Sequence, residues 1–154
     1  MKSILLTAVA MFAILAIPFP AKASLGGTLA SVQADQTHLR GTLRSINNGT
    51  YTVQEVKAPT GIVVREYVST SSGTVFAITW QGPARPDLRQ LLGTYSQTLK
   101  QAMQAHQGHR VGLNSLVVKQ PGLVVEMGGH MRWLVGRAYV PGMMPPDVQL
   151  EEIR

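Results

Sequence analysis

The chain has 154 residues, no cysteine, and 14 Lys or Arg against 8 Asp or Glu, a net charge of +6. That length fits one domain with an ordinary core, and the absence of cysteine excludes disulfides, an acylated cysteine anchor and a cysteine nucleophile. The positive residues are scattered rather than gathered into a run, which argues against a nucleic-acid-binding stripe.

The first segment reads as an address. Lys2 gives a positive start, residues 4–17 are apolar except for Thr7, and Pro18 and Pro20 end the run. Ala21-Lys22-Ala23 then sets small residues at the two positions a signal peptidase reads. The apolar run falls short of the about 20 residues that a spanning helix requires. The expectation is a cleaved signal peptide over 1–23 and a mature chain that starts at Ser24, in the periplasm or outside the cell. Cleavage removes Lys2 and Lys22 and no acid, which leaves the mature chain mildly basic.

Past a small-residue lead-in with Gly26 and Gly27, Leu29, Val32, Leu39 and Leu43 recur at helical spacing, and the spacing predicts a helix over 31–39. Asn47-Asn48-Gly49 is a turn signal. Three strands are predicted next, over 51–56, 62–68 and 74–80, separated by turns at 58–61 and 69–73. Pro86 and Asp87 open a second helix. Leu88, Leu91, Leu92, Tyr95, Leu99 and Met103 form its apolar stripe, with Gly93 inside it. Three more strands are predicted over 115–119, 123–127 and 131–140, with turns at Gln120-Pro121-Gly122 and Gly128-Gly129. Short connections between such runs make antiparallel neighbours.

The pattern predicts an α+β domain over 24–140. Its antiparallel sheet has about six strands in two three-stranded meanders, with a helix before each meander and the helices packed on one sheet face. Residues 141–154, with Pro141, Pro145 and Pro146, read as an irregular tail. The two halves share a layout but little residue identity, so an internal duplication stays open.

Arg65-Glu66-Tyr67-Val68, residues 73–80, Gly82-Pro83, residues 86–93, residues 128–132 and residues 136–141 together resemble an uncharacterised bacterial family, the domain-of-unknown-function family numbered 2844. Leu25-Gly26-Gly27 belongs to the same resemblance. Its members come from Gram-negative bacteria and look exported. The resemblance implies export and carries no activity, so it assigns no functional residues.

Candidate sites come from the residues alone. His130 and Arg132 beside a glycine turn, with Arg137 further along, form a candidate ligand-binding set, because guanidinium forks suit carboxylate or phosphate. The competing reading is a plain hairpin in which Gly128 and Gly129 adopt positive φ. His106, His109 and His130 have ligand types suited to zinc, but sequence does not bring them together, and no metal or cofactor is expected. Glu66 and Glu126 are expected to pair across strands with opposite charges. Trp80, Trp133, Tyr67 and Tyr139 are expected in core or half-core positions rather than on a stacking surface. No phosphate loop, Gly-x-Ser-x-Gly elbow or His-Glu-x-x-His pair occurs, and no catalytic residue is assigned. The leading expectation is an exported, non-catalytic binding or assembly module. Its partner would be another envelope protein, docking along a sheet edge, or an anionic envelope polymer. The alternative is a small hydrolase acting on an envelope component through His130.

Overall fold

The computed structural model describes residues 25–105, 108–110 and 115–154. The expected signal peptide and His106 lie outside the described residues. The order is α1 (Leu29–Leu39), β1 (Thr42–Asn47), β2 (Tyr51–Lys57), β3 (Val63–Ser69), β4 (Val75–Gly82), α2 (Leu88–Leu92), α3 (Tyr95–Gln104), β5 (His109–Arg110), β6 (Leu116–Gln120), β7 (Leu123–His130) and β8 (Trp133–Tyr139). The strands form one antiparallel sheet in the order β1-β2-β3-β4-β8-β7-β6-β5. The α+β class holds, but the meanders are longer than expected. Seven strands have five residues or more, and the two-residue β5 lies at one edge.

The additional full strand is β1. Leu39 and Leu43 lie at helical spacing, but Arg40 turns left-handed at φ 50° and ends α1. Gly41 then crosses β2 so closely that a Cβ would meet the Lys57 carbonyl at 2.8 Å. Leu43 therefore faces the core from a strand, opposite Val56. The expected second helix divides at Gly93, whose φ of 51° interrupts the helical path. Asp87 caps α2 by accepting a hydrogen bond from the Arg89 amide at 2.9 Å. Breaking the rod lets Leu91 and Leu92 of α2, and Leu99 and Ala102 of α3, all reach the core.

Strand alternation gives the sheet two faces. Helices α1, α2 and α3 cover one, where Val32, Leu91, Leu92 and Leu99 pack on Val64, Ile78, Trp80, Val118, Val125 and Ala138. Residues 141–154 cover part of the other. They are irregular apart from two 3₁₀ turns, Pro141–Met143 and Leu150–Glu152. Val148 and Ile153 pack there on Tyr51, Val53, Tyr67, Phe76, Val124 and Tyr139. Tyr51, Tyr67 and Phe76 lie with ring centroids 5.9–6.2 Å apart. With both faces covered, β4 is buried along nearly its whole length, so its sequence reads as a continuous apolar run rather than an alternating one.

Candidate functional site on the tail face of the sheet

A row of polar side chains crosses the tail face. Pairing sets Glu55 opposite Arg65, Arg65 opposite Thr79, Thr79 opposite Arg137, and Arg137 opposite Glu126. Each arginine holds its neighbouring acid through Nε: Arg65 to Glu55 at 2.8 Å and Arg137 to Glu126 at 2.7 Å. The cross-strand pairing expected for Glu126 is therefore present. Burial alone would raise the Glu55 carboxyl, but Arg65 and Lys57 beside it prevail and hold it below the usual glutamate range.

The same arginines grip the tail. Arg137 Nη1 donates to the Leu150 carbonyl at 3.0 Å and the Ile153 carbonyl at 3.4 Å. Arg65 Nη1 donates to the Arg154 carbonyl at 3.5 Å. Tyr67 donates its hydroxyl to that carbonyl at 2.8 Å and accepts from the Arg154 amide at 3.0 Å. Tyr51 donates to Glu152 Oε2 at 2.9 Å. The tail thus stops short of covering the whole face, and an open groove of about 450 Å³ remains beside it. Its polar lining includes Arg65, Thr79, Gln81, Ser115, Glu126, Arg137 and Arg154, and its apolar walls include Val117, Val135 and Ile153. On the floor, between the two guanidinium groups, Thr79 Oγ1 is buried and has no hydrogen-bond partner. Leaving such a hydroxyl unpaired costs about 1–3 kcal/mol.

The three candidate binding residues do not converge. Arg137 lies in the groove. His130 and Arg132 lie at the β7–β8 tip beside a shallower depression with Pro83, Gly129, Met131 and Leu134, which no carboxylate lines. The strand rise of about 3.3 Å per residue puts Trp133, the partner of His130, about 13 Å along β8 from Arg137. His130 Nδ1 lies 3.1 Å from the Met131 carbonyl oxygen. The turn itself is displaced from the expected position. Gly128 and Gly129 belong to β7, and the chain reverses at Met131-Arg132, with Arg132 at φ 70°. Gly129, at φ 130°, passes so close to β8 that a Cβ would lie 2.8 Å from Leu134 Cα. The glycine pair marks a close strand approach rather than a turn.

The second polar constellation is one the sequence reading assigned differently. Glu66 is fully buried beneath α1, and its register neighbours are Gln54 and Ile78, not a cation. No donor satisfies either carboxyl oxygen; the Asp35 carboxyl lies within side-chain hydrogen-bonding reach, and a bond between the two acids requires a proton on one of them. Burial, and then the nearby Asp35 carboxyl, push its pKa well above the ordinary value of 4.5. Asp35 is itself fully buried on α1. Burial raises its pKa too, against the opposing pull of the Gln90 side chain, which donates to Oδ1 at 3.1 Å. The one signal available in sequence was the alternation in β3, which puts Glu66 on the same face as Val64 and Val68.

Of the aromatic residues, Trp80, Tyr67 and Tyr139 are buried and Trp133 is exposed. Among the described residues, no cluster of His, Asp or Glu could hold a metal ion, and no helix is long and apolar enough to cross a membrane.

Residues 21–153 match the model of the family described as "Protein of unknown function (DUF2844)", and the chain belongs to that family. No curated protein and no solved structure matches it.

Proposed function

We propose that the protein is an exported binding module, periplasmic or secreted, and that its ligand occupies the tail-face groove. The observation that carries this reading is the buried, unpartnered Thr79 hydroxyl beneath the open groove, set between Arg65 and Arg137. Groove and floor together suit an elongated ligand with an acidic group for a guanidinium and an apolar body against Val117 and Val135. An acidic envelope oligosaccharide or an amphiphilic carboxylate has that chemistry. Because Glu55 and Glu126 already engage the two Nε groups, the acid would approach the outer edge of a guanidinium. Export rests on the layout of residues 1–23. No observation favours the hydrolase alternative, since no carboxylate lines the depression beside His130.

The test is isothermal titration with acidic oligosaccharides and long-chain carboxylates, for the wild type, Thr79→Val and Arg137→Lys. Thr79→Val leaves the fold intact and weakens binding at least about tenfold, the loss expected when one hydrogen bond to a charged group is removed; Arg137→Lys weakens it as well and also loosens the tail that Arg137 holds, which its urea midpoint reads separately. Binding that survives both changes overturns the reading.

A further inference from the structure

The β7–β8 hairpin projects from the sheet. Its neighbours stop early: the last β4 pair is Gly82 with Leu134, and the last β6 pair is Leu116 with Met127. Beyond them, among the described residues, the tip pairs only within its own two strands, and two large apolar side chains stand in the open there. Met131 is 92 % exposed and Trp133 43 %.

Charge is sorted along the same axis. The end of the sheet that carries the tip also carries Arg40 and Lys57, which flank the start of β1 and the end of β2, and Arg85 in the loop after β4. All three are exposed, as is Arg132 at the apex. Lys57 is shared with Glu55 at 3.3 Å, and Asp87, two residues past Arg85, is paired with Arg89 at 3.6 Å. At the opposite end, the turns at 48–50, 70–74 and 121–122 contain only Asn, Gly, Thr, Ser and Pro. The strand order sets these cations along one end of the sheet, with Arg85 and Arg132 on the β4-β8-β7 side that carries the tip and Arg40 and Lys57 on the β1-β2 side.

We propose that this end docks on an anionic membrane surface, with Met131 and Trp133 entering the headgroup boundary and Arg132, Arg40 and Arg85 facing lipid phosphates. The residue types fit that role. Trp prefers the membrane–water interface, and long cationic side chains around an apolar contact follow the pattern of interfacial binding. A protein partner fits less well. Two side chains on a narrow tip fall far short of the roughly 800 Å² per partner that a stable protein interface buries. A lipid surface requires no matching shape, and cations spread along the sheet end can act on it together. This inference stands independently of the groove.

Tryptophan fluorescence tests it directly, because the chain has only two tryptophans and Trp80 is 2 % exposed. The full chain is titrated with vesicles of phosphatidylcholine alone and of phosphatidylcholine with phosphatidylglycerol. The expected result is a blue shift with the anionic vesicles only, weakened by salt and lost in Trp133→Phe. Arg132→Gln weakens partition about fivefold, the effect of one cation near such a surface. An emission maximum that does not move with anionic vesicles overturns the proposal. So does a shift that persists unchanged when Met131→Ser and Arg132→Glu are combined, since the N-terminal residues are the same in that variant. A shift produced by a soluble envelope protein and not by lipid assigns the tip to a protein partner and overturns it as well.

Discussion

Glu66 offers the sharpest test of how this fold is held together. Its carboxyl is fully buried, no donor satisfies either oxygen, and Asp35 lies beside it under α1. The surrounding polar groups are Asp35 and His38 of α1, Gln90 of α2 and Gln54 of β2, and among the described residues no arginine or lysine shifts either carboxyl. Folding therefore favours the protonated form. The unfolded chain releases this proton near pH 4.5 while the folded chain retains it. In that window the folded state binds more protons, so stability falls as pH rises, by at most about 1.4 kcal/mol per pH unit for one proton. The contribution is fully present below the ordinary glutamate value and is lost as pH climbs toward the raised one. Glu55 behaves oppositely. Its lowered carboxyl adds stability above the ordinary value that is lost in acid. Urea unfolding followed from about pH 5 to about pH 7 should show the wild type losing stability relative to Glu66→Gln, whose amide does not ionise. At neutral pH, Glu66→Leu should gain about 2 kcal/mol, roughly 8 °C in Tm, because it removes from the core a carboxyl that no donor satisfies and that crowds the Asp35 carboxyl. A difference curve between wild type and Glu66→Gln that is flat across this range refutes the reasoning. So does a Glu66→Leu variant less stable than the wild type.

The strand approach at Gly136 should tolerate nothing larger. A Cβ there would collide with the Trp80 ring and lie 2.9 Å from the Glu126 carbonyl oxygen. Gly136→Ala should therefore cost about 2–3 kcal/mol through overpacking, read as a lower urea midpoint with an unchanged slope. Ile153 has no exposed surface although it is next to the last residue of the chain. Ile153→Ala should cost about 2–4 kcal/mol and make the tail the first segment cut by protease; a loss below about 1 kcal/mol would show that the tail contributes little to the fold.

The α+β class and six of the strands were legible, because their apolar alternation is local and their turns are marked by Gly, Pro and Asn. β1 was not, since Leu43 lies at both helical and strand-compatible positions and only the left-handed Arg40 separates the two. The break in the second helix was present as Gly93, a residue that is tolerated inside a helix or ends one, and the core beneath it decided which. Arg137 was legible as a strand cation. Its alignment with Thr79 and Arg65 was not, because that row joins residues from separate strands through register alone. Glu66 read as half of a cross-strand ion pair, and the register that sets Gln54 and Ile78 beside it instead is not encoded in any short stretch.

The sequence by itself determined the α+β class, six of the strands, the absence of disulfide cross-links and the family to which the chain belongs. All of these follow from composition and from patterns a few residues long. Only the tertiary structure decided that the tail closes part of a sheet face and leaves a groove over Thr79. It alone set two carboxyls together in the core and aligned separate cations along the end of the sheet that carries the Met131–Trp133 tip. Each of these depends on which strands lie side by side, and that order is fixed by the packing of two sheet faces, a long-range balance that no short stretch of sequence encodes.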